Sequence, residues 1–389
     1  MNESAHSTTP LAGPLDNPFK DWPNSDLLID AEDQAFFARH YPKFAPIFDW
    51  SELRSLFVKY DAAAARARAH SRRSGIVAVI FGFFGLIVGA TVPLIDGLSQ
   101  SRGAPHSHTP DVLGAVAGLL AIVSIVLGYT QVLRGKEKAR WLTNRFWTER
   151  IRQFHFQLII NNLPALIAAI ASKDDLKGWL DFRARELDRF EHDYLRGVED
   201  KMHHLEQDEA EDNPWIAQEW DHPGPVPTAS EELNVLLMLL EQQRFGVQQR
   251  YAERKLLTSL HSPETGAKVV LKVSDFSTGV LLLATIAVGV ISIIAFETGA
   301  DPKIRLFAAF VAALAGSSVV ALRALKEGLL FSADVERYKW YLAAVRTLYR
   351  RYEHADLPRK VFLLRELERT AYQEMRRFML SAAQARFVM

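Results

Sequence analysis

The sequence predicts an all-α integral membrane protein: two transmembrane helical hairpins, four spans in all, continued by long cytosolic amphipathic, coiled-coil-like helices. Three observations predict it. Residues 75–95, 112–133, 276–296 and 306–322 form four apolar runs without one charged residue. The runs fall into two pairs, each joined by a short loop. The rest of the chain is rich in Arg, Lys, Asp and Glu arranged at helical spacing. Three of the runs reach the roughly 20 residues that cross about 30 Å of hydrocarbon. The fourth is shorter and rich in Ala, Gly and Ser, so it spans only beside its neighbour. A buried helix of a water-soluble protein carries a polar residue every turn or two, and these runs do not.

Composition adds limits. The chain has 389 residues, formal net charge +0, 49% hydrophobic residues and no Cys. Balanced charge gives no reason to expect a nucleic-acid partner. Without Cys there is neither a disulfide framework nor a zinc-type cysteine spacing.

In chain order, residues 1–26 hold several Pro and small polar residues and read as a flexible lead-in. A first helical unit covers 27–211 and contains the hairpin 75–133. Helical texture begins near Leu27, with Ser25 or Asp26 as its cap. Residues 50–73 read as a helix running into the first span, with Leu53, Leu56, Phe57 and Tyr60 on one face. Arg66, Arg68, Arg72 and Arg73 form a basic collar before that span, and Arg134, Lys136, Lys138 and Arg140 form another after the second. Lys268 and Lys272 before the third span, and Arg323 and Lys326 after the fourth, repeat the pattern more weakly. By the positive-inside rule both hairpin loops face away from the cytosol, and both termini and the helical body lie within it.

A long helix then carries Trp141, Arg145, Glu149 and Arg152 at steps of three and four residues. Trp141 and Trp147 fit either headgroup depth or helix–helix contact. Pro164 predicts a break, and the short apolar run 161–171 a buried helix. Residues 174–211 alternate charge with a near-heptad apolar stripe. Residues 212–230, with four Pro and a Gly, form the linker to a second helical unit at 231–389. Ser230 before Glu231 and Glu232 reads as a helix start. The second unit contains the hairpin 276–322. It repeats the plan of the first: FGVQQRYAERKLLTSLH stands where FVKYDAAAARARAHSRR stood, and RYKWYLAAVRTLYRRY where RWLTNRFWTERIRQF stood.

Within the spans, small residues recur on single faces. Gly82, Gly85 and Gly89 do so in the first, Ala117, Ala121, Ser124 and Gly128 in the second, and Ala309, Ala312, Ala313 and Gly316 in the fourth. Such stripes let helix backbones approach closely, within one protomer or between protomers of a homo-oligomer. Thr285 and Ser292 of the third span, with Ser317 and Ser318 of the fourth, are the mildly polar candidates for lining a pore. No ionisable residue sits mid-span, which argues against a proton-coupled carrier.

Enzyme signatures are missing: no Gly-rich phosphate loop, no HExxH and no GxSxG. No catalytic, cofactor-binding or metal-ligating residue is assigned. His203 and His204, adjacent on a charged helix, point to different faces. His106 and His108 read as part of a polar loop. The acidic cluster at 199–212 reads as a solvated face.

The layout resembles a known family. Basic flanks, a two-span hairpin, a following helix of the type RWLTNRFWTERIR and a closing LRELERTAYQEMRRFM are similar to the SMODS and SLOG-associating two-transmembrane effector domain, SLATT. The resemblance covers about residues 50–205 and again 235–380. It implies a bacterial inner-membrane effector of antiphage or conflict systems that oligomerises and permeabilises the membrane on a cytosolic signal. It also implies a cytosolic sensor or signal-synthase partner. Family members usually carry one hairpin, and this chain carries two. A membrane-tethered scaffold that recruits a cytosolic partner without forming a pore is the alternative.

Overall fold

The computed structural model describes residues 22–100, 108–133, 136–192, 225–257, 267–299 and 301–385; every regular element among them is a helix. Asp33 anchors the lead-in by accepting from the backbone N–H of Asn24 and Ser25 at 3.2 and 2.9 Å. Helical structure begins later than the sequence texture implies. Helix α1 is Ala31–His40. Ser25 Oγ instead closes a turn by accepting from the N–H of Leu27 and Ile29, and Asp26 points into the core. A single turn, α2 (Ala45–Phe48), follows.

Helix α3 (Ser51–Gln100) is 50 residues long, about 75 Å at 1.5 Å per residue. It stays unbroken because the Ala-rich stretch 61–69 has high helix propensity and no Gly or Pro interrupts residues 51–74. Its first half buries Leu53, Phe57, Ala64 and Ala67, all on one face. Its second half is the first uncharged run. Helix α4 (Thr109–Leu133) is the second run. Helix α5 (Lys136–Asn161) returns along α3. Pro164 lies in the first turn of α6 (Leu163–Ala171), where its missing N–H costs nothing, and the chain bends by 76° there. Helix α6 packs into the core through Leu163, Leu166 and Ala169. Ser172 caps α7 (Lys173–Phe190). The remainder of the charged stripe, the acidic cluster with its two His residues and most of the linker lie outside the described residues.

Ser230 caps α8 (Glu231–Leu240), accepting from Leu233 N–H at 3.1 Å. A π-helical turn, Glu241–Gly246, joins it to α9 (Val247–Leu257). Helices α10 (Ala267–Glu297) and α11 (Pro302–Gly328) carry the third and fourth uncharged runs. Leu330 turns the corner into α12 (Phe331–Glu353) with φ +61°. A left-handed leucine costs about 1–2 kcal/mol, so packing on both sides must hold this corner. Asp356 caps the closing helix α13 (Leu357–Gln384).

The four apolar helices form a row. Helix α4 packs on α3, α3 on α11, and α11 on α10. Helices α3 and α11 run antiparallel: Val79 meets Ala321 and Ala324 at one end, and a β-carbon at Gly97 would collide with Leu306 at the other. Among the described residues four helices are therefore long and apolar enough to cross a membrane, and the most apolar windows of the outer two, α4 and α10, bury no residue.

The helical body has one main core drawn from both halves of the sequence. Trp50, Phe154 and Phe190 join Phe245, Tyr352 and Leu367 in a single apolar cluster. A second cluster sets Ala64, Trp141 and Trp147 against Tyr372, Met375 and Met379. Both tryptophans thus lie in helix–helix contact. The Pro-rich linker separates the halves along the chain but not in space. Helix α5 packs on both α3 and α13.

Candidate functional site at the junction of spans and body

The spans carry the first set of candidate residues. A β-carbon at Gly85 would lie 3.3 Å from Ala121 N and 3.4 Å from Ala117 O. Gly89 faces the Ala117 β-carbon at 3.8 Å. Ser124 Oγ donates to Ala78 O of α3 at 2.9 Å. The small residues of the first two runs therefore face each other within one protomer. Gly82 lies half-buried on α3, and Gly128 has open space around its α-carbon. In α11 the buried small residues are Ala308, Ala315, Ala321, Ala324 and Gly328. Ala309 and Ala313 are exposed, Ala312 and Gly316 half-buried, so the packed face lies beside the one the sequence stripe marks out. Tertiary contacts chose which of two adjacent small faces turned inward.

The hydroxyl candidates all serve their own helices. Thr285 donates to Leu281 O, Ser292 to Val288 O, and Ser317 and Ser318 both to Leu314 O, at 2.8–3.0 Å. Each hydroxyl is satisfied without a cross-helix partner. Of the basic collar, Arg66, Arg68, Arg73 and Lys136 are exposed, and Arg72 and Lys138 half-buried. Lys138 Nζ closes the end of α13 by donating to Ala383 O and Ala385 O at 2.6 and 2.7 Å. Arg140 pairs with Glu137. Arg134 and His106 lie outside the described residues, and His108 is exposed just before α4.

Beneath this collar lies a feature that sequence reasoning missed, a buried chain of ion pairs. Arg244 is 0% exposed. Its Nε and Nη2 donate to the two carboxylate oxygens of Glu368 at 2.6 and 2.7 Å, and its Nη1 to Asp26 at 2.8 Å. The guanidinium stacks 4.5 Å from the Phe156 ring centre. Asp26 also accepts from Arg152 and Gln248. Arg152 pairs with Glu149, Glu149 with Arg145, and Arg145 with Asp61. The chain thus links α13, the π turn, the lead-in, α5 and α3. Arg244 lies within the π turn, a kind of irregularity that recurs at functional sites. The signal available in the sequence was four consecutive polar residues, Glu241, Gln242, Gln243 and Arg244, following a leucine-rich helix.

Electrostatics follow from burial. Burial opposes ionisation of Glu149, but Arg145 and Arg152 hold its carboxyl down to about 2. Burial raises the Glu368 and Glu374 carboxyls in spite of their arginine partners. His155 is 1% exposed, and neither ring nitrogen meets a protein partner. Burial first, then Arg183 and Arg244, push it down to about 3, so the imidazole is neutral.

The ion chain opens at its Asp61 end into a cavity of about 360 Å³ where the body meets the spans. Arg68, Arg72, Arg254 and Lys255 line it together with Arg145 and Arg337. Among the described residues no group of His, Asp or Glu is arranged to hold a metal ion.

The fold and this junction define a class: among the described residues, a helical protein with four helices long and apolar enough to cross a membrane, mounted on a helical body with a buried ionic core. No protein-family model matches the chain, no curated protein is similar to it, and no solved structure matches its fold.

Proposed function

We propose that the protein is a multi-pass inner-membrane effector of the SLATT type. Its two hairpins insert in the bilayer, the helical body stays in the cytosol, and assembly of protomers permeabilises the membrane when the body receives a signal. One observation carries the membrane placement. Along their uncharged runs the outward faces of α4 and α10 carry no charge and are predominantly apolar, with Ile125 68% and Leu283 69% exposed. Contiguous apolar surface on this scale marks a lipid or protein contact. The positions of the basic residues support the orientation. Arg66, Arg68, Arg72, Arg73, Lys136, Lys138 and Arg140 all stand at the body end of the apolar helices, as the positive-inside rule requires of a cytosolic side.

Release of a trapped dye from phosphatidylglycerol-containing vesicles tests the pore. Leakage that rises more steeply than linearly with protein density is expected. Tight vesicles, together with full membrane potential in expressing cells, would exclude it. The second reading, a membrane-tethered scaffold without a pore, is favoured by the hydroxyls of Thr285, Ser292, Ser317 and Ser318, which all bond to their own helices and leave no polar stripe. It requires tight vesicles and a stoichiometric cytosolic partner.

A further inference from the structure

The cavity at the junction has a charge imbalance that the fold does not use. Two of its arginines are internally answered. Arg145 pairs with Asp61 and Glu149, and Arg337 with Asp334 and Glu374. Among the described residues Arg68 and Arg72 form no ion pair; Asp334, the carboxylate that attracts Arg72, is already paired with Arg337. Arg68 and Arg72 stand four residues apart on α3, so both reach the same wall. Among the described residues neither donates a hydrogen bond to a carboxylate. Arg68 lies over the Trp141 ring at 5.8 Å. Arg72 is half-buried, and burial with the repulsion of Arg68 outweighs the attraction of Asp334 and lowers its guanidinium to about 10. Like charges one turn apart weaken a helix, and an unpaired, partly desolvated cation weakens a fold. A chain selected only for stability has no reason to keep such a pair in a cavity.

We propose that this cavity is a binding site for a phosphate-bearing anion, held by Arg68 and Arg72 and supplied by an anionic lipid headgroup or by a soluble phosphate compound. Guanidinium forks match phosphate oxygens in pairs. The cavity volume sits at the lower end of the range for small-molecule sites, enough for a phosphate and a short organic group. The location gives the anion a consequence. Three residues after Arg72 the uncharged run of α3 begins, and Phe331, also on the cavity wall, opens α12 just after the Leu330 corner. An anion bridging this wall ties the cytosolic half of α3 to the element that follows the last apolar helix, and so biases how the two pairs of apolar helices sit against each other. The lipid source rests on the membrane placement proposed above. The soluble source does not.

The test measures thermal unfolding of the full chain in two settings. In neutral-detergent micelles the probe is inorganic pyrophosphate. In nanodiscs the comparison is phosphatidylglycerol against phosphatidylcholine. A rise in unfolding temperature with pyrophosphate assigns a soluble source, and a rise only with phosphatidylglycerol assigns the lipid. Arg72→Gln and, separately, Arg68→Gln should leave the ligand-free protein at least as stable. Each should weaken binding about tenfold or more, as expected for loss of one charge-assisted bond. Arg68 is exposed, so its variant folds even if the other does not. No rise in either setting, or a rise that both variants retain, overturns the site. Vesicle leakage without any rise would remove the anion site and leave the pore standing. A rise in micelles without leakage would do the opposite.

Discussion

The body and the row of apolar helices solve opposite solvation problems with the same secondary structure. In the body, charge is turned inward: Arg244, Asp26 and Glu368 are almost wholly buried, and each is held by opposite charge. In the row, apolar surface is turned outward, and the inward contacts are made by Gly85, Ala117 and Ser124. The difference shows where specificity resides in each. A buried ion chain has one register in which every partner is satisfied. A small-residue seam is held by close backbone approach and one hydroxyl, so it can slide or separate at lower cost. On the proposed function, the rigid half receives the signal and the loosely keyed half responds.

The contrast breaks most sharply at Arg244. Arg244→Met leaves Asp26 and Glu368 buried with less compensation. It should lower stability by about 3–5 kcal/mol, seen as a lower unfolding temperature in neutral detergent. Arg244→Lys should recover little of this, because one ammonium cannot replace three directed bonds. A variant as stable as wild type would mean that the ion chain is incidental.

The seam is the next test. Gly85→Leu forces α4 away from α3 and should cost roughly 1–3 kcal/mol. Gly118→Leu, on the open side of the same pair, should stay within about 0.5 kcal/mol, because nothing lies within 4 Å of its α-carbon substituent. Equal effects would mean that the two helices do not pack along this face.

A smaller effect comes from His155. Its folded value is depressed to about 3 from an ordinary 6.5. The unfolded chain therefore takes up a proton that the folded chain refuses. Stability is fully present above pH 6.5 and falls as the pH drops toward 3. By pH 5.5 the loss should be about 1.4 kcal/mol. The raised carboxyls of Glu368 and Glu374 act in the opposite sense. Unfolding followed between pH 7.5 and 5.5 should lose this slope in His155→Phe. A slope that persists assigns the proton to another group.

Much of this protein could be read along the chain because the relevant physics is local. Uncharged runs became helices α3, α4, α10 and α11. Ser230 became a cap, Pro164 a break, and residues 50–73 joined the first apolar run without interruption. The recurrence of Arg145, Glu149 and Arg152 was also visible, yet nothing local says that this face points inward. Arg244 was marked only by the polar run it stands in, and nothing local named its partners. Its partners stand 124 and 218 residues away.

What the sequence determined by itself is therefore helix content and the division into apolar and charged segments, since propensity, capping and hydropathy act over a few residues. Tertiary structure alone decided that the halves share one core, that Asp26 pairs with Arg244 instead of capping a helix, and that Ala308 and Ala315 rather than Ala309 and Ala313 face inward. Those outcomes depend on pairings across long stretches of chain, where several faces of a helix are chemically nearly equivalent and only simultaneous packing and charge balance select one.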